Sequence, residues 1–222
     1  MSIRVSLTFD NGPTSDVTPW VLDVLRERGT RATFFVVGQQ LRLPGMTVMA
    51  ARAAAEGHWI GNHTLTHSIP LAELDDPAAV DREIGETQAL IGDLSHPDRL
   101  FRPFGRGGII DDRLVGAHAL RRLEEGAFTC VLWNCVPRDW ERPDGGWVGA
   151  CLDDVATRPW SVVVVHDLPT GAMDHLPALL DGLDAMGAEV VQGFPEECVP
   201  IRRGVRTIAF GRLPLAPPAI RG

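Results

Sequence analysis

The chain has 222 residues, 45% of them apolar, and a formal charge of −8. That length suits one α/β domain with a sizeable core, and the acidic balance excludes a sequence-wide attraction to nucleic acid or anionic lipid. No apolar run reaches membrane length, so no membrane-spanning helix is expected. The first stretch, Val5-Ser6-Leu7-Thr8-Phe9-Asp10-Asn11-Gly12-Pro13, is an apolar run that stops at a carboxylate, an amide, a glycine and a proline. It reads as a buried strand punctuated by a turn. Asp10 and Asn11 should therefore sit at the carboxyl lip of a sheet, where α/β folds place their chemistry, or else serve only an Asx-type turn.

A helix over 16–28 follows, with Val17, Trp20, Val21, Val24 and Leu25 on one stripe and Gly29 at its end. Strands at 33–37 and 58–62 flank a helix over 46–56, and a helix over 77–90 leads to a strand at 99–103. A helix over 111–125, a strand at 128–133, a long irregular stretch and a short helix to residue 156 come next. Ser161 to His166 carries four consecutive valines and is the clearest strand of the chain. A helix over 176–186 and a strand at 189–191 complete about seven strands. Strands alternating with helices imply a mainly parallel sheet, open or closed into a barrel. Residues 195–222 break the pattern. They are rich in Pro and Arg but keep Ile201, Val205, Ile208, Phe210, Leu213 and Leu215, and are expected to pack on the barrel or on a second subunit.

Polar clusters recur at the ends of these strands. His63 and His67 stand four apart, a spacing at which two imidazoles can grip one divalent cation; two surface histidines are the plain alternative. Arg102 ends the fourth strand, as a surface ion pair or as the partner of a buried carboxylate. Asp139-Trp140 lies in the loop after the fifth strand, and His166 ends the valine-rich one. Trp140 and Trp147 are either sugar-stacking indoles or core residues. The four cysteines form no CxxC pair. No signal-peptide pattern precedes the first strand, so the expected location is cytoplasmic and the thiols reduced.

Five such clusters in this order resemble the motifs of one family. Thr8-Phe9-Asp10-Asn11-Gly12, His63 to His67, Phe101-Arg102-Pro103-Phe104-Gly105, Trp133 through Asp139-Trp140, and Val164-Val165-His166 are similar to those of polysaccharide deacetylases of the NodB-homology type, carbohydrate esterase family 4. The resemblance covers about residues 3–192 and implies an irregular (β/α)7 barrel over 1–194, with 195–222 as a separate tail. It implies a metal-dependent hydrolase that removes N-acetyl groups from an amino sugar or oligosaccharide. Asp10 would be the base, His166 the acid, and Arg102 and Asp139 their partners. His63, His67 and Asn11 would hold zinc or another divalent metal such as cobalt or nickel, and Phe104, Trp140 and Val164 would line the substrate pocket.

Three departures accompany the likeness. Asn11 replaces the family's second aspartate, which weakens the metal site or removes it. Arg102 and Phe104 stand one residue closer than usual, and Val136 replaces an earlier aspartate. Two other readings follow: a metal-independent cyclic amide hydrolase of allantoinase or imidase type, and a non-catalytic sugar-binding barrel. The expected partner is a soluble N-acetylated sugar, with neither nucleic acid nor membrane, and the tail offers a route to a homodimer.

Overall fold

The structure is a computed structural model and describes residues 3–212. Nine strands form one sheet: β1 (Arg4–Asp10), β2 (Thr33–Val36), β3 (Trp59–Asn62), β4 (Leu100–Phe101), β5 (Thr129–Cys130), β6 (Trp160–His166), β7 (Glu189–Val190), β8 (Ile201–Arg202) and β9 (Val205–Arg206). Seven α-helices are described: α1 (Thr18–Glu27), α2 (Gly38–Leu41), α3 (Met46–Ala55), α4 (Pro77–Ile91), α5 (Ala117–Glu125), α6 (Gly146–Val155) and α7 (Leu176–Ala185). The order β6-β1-β2-β3-β4-β5 is parallel throughout. This is an irregular (β/α) barrel as expected from the sequence, and its irregularity has identifiable sources.

The amino-terminal half of β1 pairs with β7 and its carboxyl half with β2, while β6 runs along its whole other edge. Between β5 and β6 the ring closes through two residues rather than a ladder. Cys135 donates its N–H to Val162 O (3.2 Å) and accepts from Val164 N (3.0 Å). The Asn134 side chain accepts from Val162 N (2.7 Å) and donates to Trp160 O (3.1 Å). Main-chain groups that a regular sheet would satisfy are satisfied here by one amide side chain and one bridge.

Side-chain alternation divides the strands between two faces. Val5, Leu7 and Phe9 of β1 and Val163 and Val165 of β6 pack outward against α1, α6 and α7, together with Val21, Leu22, Trp147, Leu176 and Leu179. Val162 and Val164 point the other way, into a cluster with Phe101, Cys130 and Leu132. On β1 the residues between the outward apolar ones are Ser6, Thr8 and Asp10, all buried. The barrel is thus apolar outside and partly polar within, and its polar column ends at Asp10.

Several expected elements differ in extent. The helix expected from 111 starts at Ala117, because the Asp111 carboxylate takes the Arg113 backbone N–H (3.0 Å) and side chain, and Gly116 is extended. Local bonds of that kind compete with helix. Trp20 is half exposed rather than on the buried stripe of α1, where Leu22 stands instead. Trp147 is fully buried in the core and donates its N–H to Ala172 O (3.2 Å), so of its two expected places the core is the one it occupies.

The sequence reading had no counterpart for α2 or for the β8–β9 hairpin. The hairpin turns through Arg203 and Gly204, both at positive φ as a two-residue turn between strands requires. Antiparallel pairing joins β8 to β5, and Cys198, Val199 and Ile201 are buried against the barrel, whereas Val205 and Ile208 face outward. Leu213 and Leu215 lie outside the described residues. All four cysteines are buried free thiols. Ile201→Ala should cost about 2–5 kcal/mol by leaving a cavity against β5. Ile208→Ala at an exposed site should stay within about 0.5 kcal/mol. Urea unfolding of the two variants checks the contrast.

Candidate active site

Eight of the residues singled out in the sequence line one cleft at the carboxyl ends of the strands, with a volume of about 300 Å³. Asp10, Asn11, His63, His67, Phe104, Trp140, Val164 and His166 line it directly. Arg102 and Asp139 lie behind that lining, each with a fully buried side chain.

The centre is an ion pair. Arg102 Nη1 donates to Asp10 Oδ1 at 2.8 Å and to Thr8 Oγ1 at 2.7 Å. Its Nε reaches Val131 O at 3.3 Å and Nη2 reaches Leu132 O at 3.5 Å. The guanidinium lies over the Phe35 ring, 4.0 Å from its centroid. Burial pulls the Arg102 pKa down, opposed by the charge of Asp10. Thr8 and Asp10 project from the same face of β1, two residues apart, so one strand supplies both acceptors.

Asp10 Oδ2 faces His63 Nε2 at 3.4 Å. His63 Nδ1 lies 2.8 Å from the backbone oxygen of Arg102, which can only accept, so Nδ1 carries the proton and Nε2 a lone pair. Burial holds His63 at about 3, well below an ordinary imidazole, and holds His67 at about 2. Both rings are neutral and available as ligands. Their centroids are 4.6 Å apart, and Phe104 packs on His67 at 4.2 Å. Asn11, at φ +76°, has a buried Oδ1 with no hydrogen-bond partner.

A cation fits this donor set. His63 Nε2 and Asp10 Oδ2 are two acceptors facing each other, and the orphaned amide oxygen of Asn11 is a third. Among the described residues no three His, Cys, Asp or Glu side chains converge to hold an ion. The available set is therefore two imidazoles and an amide, with only Asp10 bringing charge nearby.

The other wall is a dyad. His166 Nδ1 donates to Asp139 Oδ1 at 2.9 Å, and the His166 backbone N–H donates to Asp139 Oδ2 at 3.0 Å. Burial alone would lower the His166 pKa, but the hydrogen bond and charge of Asp139, with Asp10 and Asp167 beyond, leave it above the ordinary value. Trp140 meets the imidazole edge-on at 4.8 Å. Asp10 and His166 are register partners on adjacent parallel strands, which sets their backbones roughly 4.8 Å apart.

Sequence reasoning missed several residues here. Trp133 lines the cleft and donates to Gly108 O (2.8 Å), holding the 105–108 loop across the opening. Asp167 is buried, its pKa raised by burial to about 6. Its Oδ2 accepts from Thr18 Oγ1 (2.5 Å), Thr18 accepts from Thr14 N (2.7 Å), and Thr14 Oγ1 donates to Asp167 O (2.8 Å). That relay ties the end of β6 to the turn after β1. Thr8 was legible from its two-residue spacing to Asp10; Asp167 and Thr18 had no sequence signal linking them.

Comparison with known proteins decides the family. The profile of the family described as polysaccharide deacetylase matches residues 2–120. The chain belongs to the polysaccharide deacetylase family. A chitooligosaccharide deacetylase of Rhizobium leguminosarum bv. trifolii is 37% identical over 166 residues, 74% of this chain and 71% of that protein. The peptidoglycan-N-acetylglucosamine deacetylase PgdA of Listeria monocytogenes is 30% identical over 191 residues, covering 85% of this chain and 37% of that one. A family 4 carbohydrate esterase from Streptomyces lividans, solved with acetate, superposes with a TM-score of 0.71 at 27% identity, covering 88% of this chain and 95% of that one. This polysaccharide deacetylase is accordingly a hydrolase of carbon–nitrogen bonds. Among its described residues no helix is long and apolar enough to cross a membrane.

The buried pair has a measurable cost. Arg102→Leu leaves Asp10 as an uncompensated buried charge and should destabilise the fold by about 3–5 kcal/mol. The double variant with Asp10→Leu should recover a substantial part of that loss. Denaturant unfolding of the two singles and the double closes the cycle.

Proposed function

We propose that this deacetylase hydrolyses the N-acetyl group of an N-acetylated amino sugar, such as a chito-oligosaccharide, with a divalent cation of zinc type held by His63, His67 and Asn11. The observation that carries the reading is the pairing of Asp10 with His166 across β1 and β6, the first ion-paired to Arg102 and the second hydrogen-bonded to Asp139, which raises its pKa. Amide hydrolysis needs a base for water and an acid for the departing amine, and two titratable groups with opposed environments meet that need.

A divalent cation bound here would lower the pKa of water and polarise the acetyl carbonyl. Asp10 takes the proton from the attacking water through Oδ2, while Oδ1 stays on Arg102. His166 presents Nε2 to the cleft, because Nδ1 is committed to Asp139, and passes its proton to the nitrogen as the C–N bond breaks. Asp139 keeps its hydrogen bond to Nδ1 and stabilises the imidazolium. Val164 and Leu168 line the apolar side of the cleft and suit the acetyl methyl. Trp140, Trp133 and Phe104 supply aromatic walls of the sort that stack on a sugar ring. The names of the relatives, chitooligosaccharide and peptidoglycan-N-acetylglucosamine deacetylases, support the substrate class.

Acetate release from N-acetylglucosamine oligomers, measured with zinc-loaded and chelated protein, tests the reading. Activity should require the metal, and Asp10→Asn should lower kcat by about 10²–10⁴-fold while the ion stays bound. Asn11→Asp should tighten zinc by adding a charge to the donor set. Activity undiminished by chelation would instead favour a metal-independent amide hydrolase.

The pH profile gives a second check. Asp139 raises the His166 pKa and His166 acts in its protonated form, so kcat falls as pH rises through that pKa. Asp139→Asn removes the charge and lowers the pKa, so the alkaline limb of kcat should move to lower pH. An unmoved limb would remove His166 as the acid.

A further inference from the structure

The turn carrying His63 and His67 is not self-supporting. Thr64 at φ +67° and His67 at φ +51° both occupy the left-handed region, which costs a non-glycine residue energy unless neighbours impose it. On one side the amino-terminal end of α2 holds it: Gly38 N donates to Thr64 O (3.0 Å) and Gln39 N to Leu65 O (2.8 Å). Only glycine fits at 38, since a Cβ there would lie 2.5 Å from Thr87 Oγ1 and 2.8 Å from Leu65 Cδ1. Asn62 Oδ1 accepts from Thr64 N (3.0 Å), with the Asn62 amide anchored to Ile84 O (2.9 Å). The remaining donors turn toward α4. Leu65 N (2.8 Å) and Thr66 N (2.9 Å) both donate to Glu83 Oε2, and Thr66 Oγ1 donates to Glu83 Oε1 (2.7 Å).

We propose that Glu83 is the positioning residue of the histidine pair, a carboxylate on α4 that fixes the turn between His63 and His67 so that both imidazoles face one cation. Two consecutive N–H groups and a hydroxyl converge on one carboxylate, the arrangement by which backbone nests bind anions. Here the anion belongs to the protein. Glu83 touches neither imidazole; it acts through the three residues between them. The inference rests on the metal reading above, because the function of the fixed turn is to deliver two ligands.

The chemistry of the contact separates geometry from charge. Glutamine at 83 can present its oxygen to the two N–H groups and its NH2 to Thr66 Oγ1, which then donates to Ser68 Oγ at 2.6 Å. Glu83→Gln therefore preserves the turn without the charge, Glu83→Ala removes both, and Glu83→Asp withdraws the carboxylate by one methylene.

Zinc titration of the metal-free full chain, the cobalt absorption spectrum and amide hydrogen exchange at Leu65 and Thr66 form the test. Glu83→Ala should weaken zinc by about 10–100-fold, the usual effect of losing an outer partner of a ligand, and should change the cobalt spectrum. Exchange at the two amides should rise in the metal-free protein. Glu83→Gln should bind within a few-fold of the parent, and Glu83→Asp should fall between. Unchanged zinc affinity in Glu83→Ala overturns the proposal, or in Glu83→Asp if the alanine variant does not fold. Equal weakening in Glu83→Gln and Glu83→Ala also overturns it, by assigning the effect to charge. No zinc binding by the parent overturns the metal reading itself and this inference with it, whereas normal parent binding with unaffected variants overturns only this inference.

Discussion

The buried Arg102–Asp10 pair is the constraint on which the rest of the barrel depends. An ion pair with almost no solvent contact must recover its desolvation cost through geometry and further contacts, and the fold supplies four groups from three places. Thr8 comes from β1, the carbonyls of Val131 and Leu132 from the segment after β5, and the ring of Phe35 from β2. The guanidinium is thus a hub that ties one side of the barrel to the other across its interior. The main-chain oxygen of Arg102 then sets the tautomer of His63, so one residue holds both the Asp10 carboxylate and the neighbouring imidazole.

From that hub the site divides into an acceptor-rich half and a donor half. Asp10 Oδ2, His63 Nε2 and the orphaned Asn11 Oδ1 offer lone pairs, a set that suits a cation. Opposite, the Asp139 carboxylate raises the pKa of His166. The parallel register that places Asp10 against His166 brings the halves together, and the Thr14–Thr18–Asp167 relay keeps the two strand ends from drifting apart. The replacement of a carboxylate by Asn11 makes the neutral donor set more dependent on accurate placement, and accurate placement is what the clamp of α2 and Glu83 supplies.

Barrel closure is weakest where chemistry gathers. Among the described residues Asn134 and Cys135 alone bridge β5 to β6, and directly after them the chain leaves the sheet for the loop that carries Asp139 and Trp140. A full ladder there would hold those residues in strand conformation, with side chains alternating across the sheet. The short bridge instead frees Asp139 to turn back under β6 and meet His166 with both carboxylate oxygens.

The strand-and-helix alternation and the polar strand ends were legible in the sequence, because a buried parallel strand must be written as an apolar run and its end as a polar break; Phe104 and Val164 were named only through the family resemblance. The spacing of His63 and His67 and the order of the five motifs carried the family resemblance on their own. Tertiary structure decided what no local pattern encodes. Arg102 could equally have been a surface cation; only the barrel interior makes it a buried hub. Trp147 could equally have stacked on a sugar; its neighbours place it in the core. The start of α5, the short α2 and the β8–β9 hairpin were too short or too locally bonded to leave a period. Glu83 and Asp167 gained their roles from loops distant in sequence, since a carboxylate on a helix or after a strand is chemically silent until the chain brings it unpaired N–H and hydroxyl donors.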